Sequence, residues 1–159
     1  MLLPTAHPPA VDGSGIRVAI VASEYNAIYV DGMLSAALDV LREAGATGET
    51  FRVPGAFEIP VVAAVLLREP NGRPDAVLCL GLIWQGETDH ARQVAGAVTT
   101  ALMGLQVETG VPCVHEVLTV TSEAQAQARC LDPQTNRGRE AATTALRMVR
   151  LLRGRGVGF

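Results

Sequence analysis

The sequence predicts an α/β fold in which a parallel sheet carries helices on both faces. Short apolar runs alternate with longer segments whose apolar residues recur at helical spacing, in the order β-α-β-α-β-α-β-α-α. The central run, residues 76–83, is apolar throughout and free of charge, which is typical of a parallel strand buried on both faces. This alternation favours right-handed crossovers between parallel strands.

The composition favours one compact domain, which we expect to occupy residues 16–159. The 159-residue chain is 48% hydrophobic and 18% charged but only 4% aromatic, so Val, Leu, Ala and Ile must build the core. Residues 1–15 are rich in proline and glycine, which resists regular structure. They are predicted to be a flexible tail or a segment that adds to a sheet edge.

The charge and the length of the apolar segments exclude several partners. A formal net charge of −3 leaves no basic stripe for nucleic acid. No segment reaches membrane-spanning length and the start does not resemble a signal peptide, so we expect a soluble, cytoplasmic protein. Cys79, Cys113 and Cys130 are odd in number and lack CxxC spacing, which favours reduced thiols, with Cys79 in the core.

The first half of the chain is predicted to form two strands and two helices. A strand over residues 16–22 leads to an amphipathic helix that stops near Gly45. Residues 49–53 alternate as a second strand. Residues 56–67 are apolar at helical spacing, so a mostly buried helix is expected there. Its one acid, Glu58, needs partners in such apolar surroundings.

The second half is predicted to follow the central strand with a long helix, one more strand and two shorter helices. Thr88 is the expected N-cap of the long helix, and Gly110 ends it. The strand covers residues 113–118, and the last helices cover residues 122–129 and 136–152. The long helix has more apolar surface than a small sheet needs, which indicates oligomerisation.

The junction between the central strand and the long helix, residues 86–88, is the first candidate site. Ligands of open α/β sheets bind at the carboxyl ends of the strands, and a helix N-terminus offers unpaired N–H groups and a partial positive charge to an anion. His90 follows in the first helical turn and titrates near neutrality, so it is a candidate proton shuttle. An ordinary surface histidine is the competing interpretation.

Four motifs stand out along the chain: VPGAFEIP at residues 53–60, LGLIWQGETDH at 80–90, QAQAR at 125–129 and NRGREAA at 136–142. In this order and spacing they resemble the lumazine synthase family, and the resemblance extends from about residue 16 to about residue 152. It implies a flavodoxin-like three-layer α/β/α sandwich around a four-stranded parallel sheet. It also implies a homo-pentamer with sites between neighbouring subunits, and it permits an icosahedral shell of sixty subunits.

The resemblance implies an enzyme of riboflavin biosynthesis, a transferase acting on small molecules. The family joins 5-amino-6-(D-ribitylamino)uracil to 3,4-dihydroxy-2-butanone 4-phosphate, giving 6,7-dimethyl-8-ribityllumazine, water and phosphate, with no metal and no cofactor. An amine must form a Schiff base with a ketone, phosphate must leave, and the ring must close. Each step moves a proton, and the leaving phosphate needs fixed positive charge.

Carried over by position, the resemblance implies roles for residues of the first three motifs and for Tyr25 and His115, which lie outside the motifs. The pyrimidine and its ribityl chain would be held by Tyr25, Ala56, Phe57, Glu58, Leu82, Ile83, Trp84 and, from a neighbouring subunit, His115. The phosphate would be held by Glu87, Thr88 and a neighbour's Arg129, and the general acid/base would be His90. Plain packing remains open for Phe57 and Trp84, as does a partly exposed strand-end position for His115.

Several positions depart from the family pattern. A basic residue is frequent where Glu24 and Gln85 stand, an aromatic is common at Ala91 and His115, and a lysine is usual at Arg137. These departures favour the alternative of a weakly or non-catalytic shell subunit or a flavin/lumazine binder, whereas the retained catalytic residues favour the enzyme. A generic flavodoxin-like redox domain ranks last, because residues 23–26 make a poor phosphate loop.

Overall fold

The sheet has four strands in the order β2-β1-β3-β4. The protein is described here by a computed structural model over residues 10–154. The strands are β1 (Arg17–Ser23), β2 (Thr47–Val53), β3 (Ala76–Trp84) and β4 (Cys113–Val120). Every pairing is parallel, as predicted, so the carboxyl ends of all strands meet at one edge of the sheet.

Helices cover both faces of this sheet. In the part of the chain that the structure describes they are α1 (Ala27–Glu43), α2 (Ile59–Leu67), α3 (His90–Thr109), α4 (Glu123–Cys130) and α5 (Arg137–Gly154), with a 3₁₀ turn, Ala56–Glu58, before α2. One face carries α1, α4 and α5, and the other carries α2 and α3. The predicted three-layer α/β/α sandwich is therefore confirmed.

The alternation of side chains along the central strands fills two cores. Ile20 and Leu78 belong to the core beneath α1 and α5, whereas Val21 and Cys79 belong to the core beneath α2 and α3. All four residues have no exposed surface. A strand covered on both sides has no polar face, which is why β3 is a charge-free run in the sequence. Cys79 is a core residue, as predicted.

The start of α5 lies unusually close to α1. The Asn136 amide donates to the Cys130 carbonyl at 2.5 Å, and its Oδ1 accepts from the Gly138 N–H at 2.8 Å. A Cβ at Gly138 would overlap the backbone of Met33, so this position has room only for glycine. These contacts fix the first turn of α5 and with it Arg137, the first residue of that helix.

Two local predictions are wrong. Thr88 is not the N-cap of α3, because Asp89 holds that position and Thr88 lies in the preceding loop. The second predicted helix is not mostly buried: a 3₁₀ turn precedes it, and Phe57, Val61 and Val65 are each 62% exposed. Helical spacing of apolar residues shows that a face is apolar, but it does not show that the same chain covers that face.

Residues 10–15 pack against the amino edge of the sheet. Residues 10–15 form no strand; the Gly13 N–H donates to the Ala44 carbonyl at 2.8 Å, and Arg150 contacts the Asp12 carboxylate at 3.0 Å. The prediction of a flexible or edge-adding segment falls mainly on residues 1–9, outside the described residues. No helix within residues 10–154 is long and apolar enough to cross a membrane.

Candidate active site

Tyr25 presents its ring at the carboxyl edge of the sheet. Its N–H donates to the Pro54 carbonyl at 3.1 Å, which ties the end of β1 to the end of β2. The ring lies over Gly55, where a Cβ would be only 2.9 Å from Tyr25 Cδ2. Because Tyr25 is 67% exposed, it offers an aromatic surface on which a flat ring can stack.

The Glu58 carboxylate lies beside the same glycine. Its Oε2 accepts the Gly55 N–H at 3.0 Å, which gives this acid the partner that its apolar surroundings require. Within residues 10–154 no other protein donor binds the carboxylate, so Oε1 is left to accept from a ligand. Ala56 packs on the α2–α3 core, whereas Phe57 is largely exposed, so packing within its own chain does not account for Phe57.

Asn26 joins the ends of β1 and β3, a role that sequence reasoning missed. Its Nδ2 donates to the Leu82 carbonyl at 2.8 Å, and its Oδ1 accepts from Trp84 Nε1 at 3.0 Å. The backbone is left-handed (φ 61°), a conformation that asparagine adopts more readily than most residues. An asparagine between a strand and a helix is the one signal in the sequence that pointed to this residue.

Leu82, Ile83 and Trp84 differ in what they can offer a ligand. The Leu82 side chain is buried in the core and Ile83 is half-buried, so the Leu82 side chain is not available to a ligand. Trp84 is 38% exposed, and its ring meets Tyr29 edge-on at a centroid distance of 5.9 Å. Simple burial therefore does not explain Trp84, whose indole is held in place by Asn26 and remains open on one side.

The loop from Gln85 to Asp89 connects β3 to α3. The Gln85 N–H donates to the Val120 carbonyl at 2.9 Å and so extends the pairing of β3 with β4. Its side-chain amide donates to the carbonyls of Gly86 at 3.0 Å and Thr88 at 3.4 Å. Glu87 and Thr88 are exposed in this loop, directly before the N-terminus of α3.

His90 is the first residue of α3, and its side chain is exposed. Within residues 10–154 it has no hydrogen-bond partner, so both ring nitrogens are free for a ligand. The preceding Asp89 pairs with Arg92 at 2.7 Å, which offsets the negative charge of Asp89 at the start of this helix. Among the described residues, no group of three His, Cys, Asp or Glu side chains is arranged to hold a metal ion.

His115 lies away from this edge of the sheet. It is opposite Cys79 on β3, whereas Trp84 is opposite Val120, the last residue of β4. At about 3.3 Å per residue, His115 is therefore roughly 16 Å from the carboxyl edge. Its Nε2 is 3.0 Å from Thr99 Oγ1 in the middle of α3. The chain thus brings His115 to a side surface and not to its own candidate site.

Arg129 is also separated from the rest. It is exposed on α4, in the layer of α1 and α5, whereas His90 begins a helix of the opposite layer. In the described residues no hydrogen bond links Arg129 to the loop before α3. One copy of the chain therefore gathers the predicted site residues of β1, β3 and their loops, but it does not bring His115 and Arg129 to them.

A buried ion pair near α4 is the second feature that the sequence did not reveal. Glu116 on β4 is 6% exposed, and its Oε1 accepts from Arg137 Nε at 2.8 Å. Arg137 also binds Glu140 at 2.5 Å. Burial raises the pKa of Glu116 above its ordinary value, and the neighbouring Arg137 and Arg129 oppose that rise. The pair anchors the start of α5 to the sheet.

An exposed apolar face lies next to the candidate site. Phe57, Val61 and Val65 form one row along the 3₁₀ turn and α2, and Met103 and Val107, 56% and 76% exposed, form a second row on α3. The two helices pack against each other. Two exposed apolar rows on neighbouring helices favour an interaction surface.

Comparison with known proteins agrees with the fold and the motifs. The family described as 6,7-dimethyl-8-ribityllumazine synthase matches residues 15–153. A protein of that name from Kineococcus radiotolerans is 46% identical over 147 residues, which cover 91% of this chain and 89% of that protein. Proteins of the same name from Corynebacterium urealyticum and Syntrophus aciditrophicus are 39% and 37% identical, covering 87% and 95% of this chain and 86% and 99% of theirs. The chain belongs to the 6,7-dimethyl-8-ribityllumazine synthase family.

Proposed function

We propose that the protein condenses 5-amino-6-(D-ribitylamino)uracil with 3,4-dihydroxy-2-butanone 4-phosphate to 6,7-dimethyl-8-ribityllumazine, releasing water and phosphate. The family match over residues 15–153 carries this proposal, because the three relatives described above all bear the name of that synthase. The comparisons with known proteins do not favour the alternative of a weakly or non-catalytic shell subunit or a flavin/lumazine binder, which depends on the departures from the family pattern alone.

The pyrimidine substrate binds at the carboxyl ends of β1 and β3. Its ring stacks on Tyr25, a contact worth about 0.5–1.5 kcal/mol beyond burial. The free oxygen of Glu58 accepts from the ribityl hydroxyls or a ring N–H, and Phe57 and Trp84 border the ring. Support for this arrangement is the exposed Tyr25 ring over Gly55, with the Glu58 carboxylate fixed beside it.

The phosphate substrate binds at the start of α3, where His90 transfers the protons. The first-turn N–H groups of α3 and the loop of Glu87 and Thr88 face the anion, and Glu87 contributes its N–H because its carboxylate would repel a phosphate. His90, with both ring nitrogens free, takes the amine proton and later returns one as water leaves. Arg129 supplies the fixed positive charge for the departing phosphate.

The site is completed by a second copy of the chain, within a homo-pentamer. His115 and Arg129 lie on surfaces of one chain that do not meet its own Tyr25 and His90, so a neighbour has to present them. The exposed rows of Phe57, Val61 and Val65 and of α3 supply the apolar area that such an assembly needs. A shell of sixty subunits is compatible with the short α4–α5 connection. The three free, buried cysteines suit the cytoplasm.

The direct test is a steady-state assay with both substrates, following lumazine absorbance. His90→Ala is expected to lower kcat by about 10²-fold or more because it removes the proton shuttle. Arg129→Ala is expected to raise KM for the phosphate substrate, whereas Arg147→Ala, an exposed arginine on α5, serves as the matched control. A wild-type rate equal to the uncatalysed background would refute the proposed function.

Subunit mixing tests the shared site. A chain with His90→Ala is expected to be nearly inactive, and a chain with Arg129→Ala is expected to be nearly inactive when the phosphate substrate is kept well below the raised KM of that variant. When the two are co-expressed in equal amounts and assemble at random, about one quarter of the sites receive an intact histidine from one copy and an intact arginine from its neighbour. Recovery of about a quarter of wild-type activity is expected. A mixture no more active than its parts would place both residues in one chain's site, and light scattering that shows a stable monomer would exclude the pentamer.

A further inference from the structure

Gln85 holds the loop before α3 from one side. Its backbone is anchored by the bond from its N–H to Val120, so its side chain projects from a fixed point of the sheet. The side-chain Nε2 donates to two carbonyls of the loop, those of Gly86 at 3.0 Å and Thr88 at 3.4 Å. Apart from its two chain neighbours, no heavy atom of the described residues lies within 4 Å of the position of a Gly86 Cβ, so no other side chain packs against the loop at this point.

These two bonds set the direction of two N–H groups. In a planar trans peptide the carbonyl and the following N–H point in opposite directions. Because Gln85 draws the Gly86 and Thr88 carbonyls toward itself, the N–H groups of Glu87 and Asp89 point away from it. Within residues 10–154 neither N–H has a protein acceptor. They directly precede the first turn of α3, whose N–H groups are also unpaired.

We propose that Gln85 is a positioning residue for the phosphate of the substrate: its amide fixes the loop so that the Glu87 and Asp89 N–H groups converge on the anion with the start of α3. This inference rests on the proposed function and names the residue that prepares its phosphate site. Without Gln85 the loop carbonyls are free to turn inward, where their partial negative charge opposes a phosphate.

The chemistry of the side chain explains why this departure from the family pattern is compatible with activity. The arginine that is frequent at this position is an N–H donor as well, so both residue types can bind the loop carbonyls. Glutamate has the same length as glutamine but only accepts when ionised. The role therefore requires an N–H donor of sufficient length and not a positive charge.

The experiment compares Gln85→Ala, Gln85→Glu and Gln85→Arg with wild type. Alanine and glutamate are expected to raise KM for the phosphate substrate about tenfold, the effect of losing loop hydrogen bonds, while KM for the pyrimidine changes less than about twofold. Gln85→Arg is expected to keep KM for the phosphate substrate at its wild-type value. Gln93→Ala, an exposed glutamine on α3, is the matched control. Circular dichroism confirms that each variant is folded.

Binding of inorganic phosphate, measured by titration calorimetry, separates this inference from the proposed function. If Gln85→Ala binds phosphate more weakly than wild type and Gln85→Arg binds it as tightly as wild type, the role of Gln85 is supported even if the wild type shows no turnover. Unchanged phosphate binding and unchanged KM in Gln85→Ala would overturn it. An equal rise of both KM values, or a failure of Gln85→Arg to rescue, would also overturn it, because either result means that the loop is merely destabilised.

Discussion

Replacing Gly55 by alanine perturbs the candidate pyrimidine surface without touching the core. The new Cβ would lie 2.9 Å from Tyr25 Cδ2 and 3.0 Å from Glu58 Oε2. Carbon atoms in contact prefer about 3.5–4.0 Å, so the Tyr25 ring must move by roughly 0.8 Å and the carboxylate by a few tenths of an ångström. The backbone at Gly55 is extended (φ −140°), so alanine causes no strain there.

The expected loss is therefore one of binding. The stack on Tyr25 is worth about 0.5–1.5 kcal/mol beyond burial, so we expect its displacement to raise KM for the pyrimidine substrate about 2- to 13-fold. The free energy of unfolding should change by less than about 1 kcal/mol, because the weakened bond to Glu58 is offset by the lower entropy of the unfolded chain.

Steady-state kinetics with each substrate varied in turn provide the measurement. KM for the phosphate substrate should be unchanged, since in the described part of the chain no hydrogen bond joins Tyr25 or Glu58 to residues 87–90. Gly154→Ala is the control, because a Cβ at that position has no heavy atom within 4 Å. A Gly55→Ala variant whose KM for the pyrimidine matches wild type would show that the substrate does not rest on the Tyr25 ring.

Two further substitutions test the contacts that hold the start of α5. Gly138→Ala is expected to lower the free energy of unfolding by about 3 kcal/mol or more, because its Cβ overlaps the Met33 backbone and α5 must move away from α1. Urea unfolding measures this loss, and a loss under about 1 kcal/mol would contradict the close approach of the two helices. Burial raises the pKa of Glu116, so the folded state holds that proton more tightly than the unfolded state, and stability is lost as pH rises through the raised pKa. Glutamine does not titrate, so the stability of wild type relative to Glu116→Gln should fall as pH rises from the ordinary glutamate pKa of 4.5 through the raised pKa, and a pH-independent difference would refute this sign.

The order and type of the main elements could be predicted because the buried face of each helix or strand gives the sequence a regular spacing of apolar residues. β3 is covered on both faces and appears as a charge-free run, and α1 and α3 show apolar residues at helical spacing. Element ends were harder to predict. Thr88 has a side chain suited to capping, but the loop places Asp89 at the N-cap position. The sequence alone does not show at which residue the loop ends and α3 begins.

The contacts that build the site were least visible, since they join distant parts of the chain. Asn26 binds Leu82 and Trp84 across separations of 56 and 58 residues, and Glu116 binds Arg137 across a separation of 21 residues. Each side chain taken alone has an ordinary interpretation, as a turn asparagine or a surface ion pair. Only the parallel sheet, which brings the ends of β1 and β3 together, gives Asn26 its role.

We predict that assembly and catalysis are coupled through the exposed apolar rows. Phe57 belongs both to the predicted pyrimidine surface and to the row that continues through Val61 and Val65, so we expect that covering this row also completes the site. Val65→Glu should therefore abolish turnover although Val65 is predicted to touch no substrate. Because this side chain is 62% exposed, the substitution costs the single chain little stability, but a buried, unpaired carboxylate opposes association. Light scattering should show a folded monomer with little or no activity, and a monomer that retains wild-type turnover would mean that one chain contains the whole site.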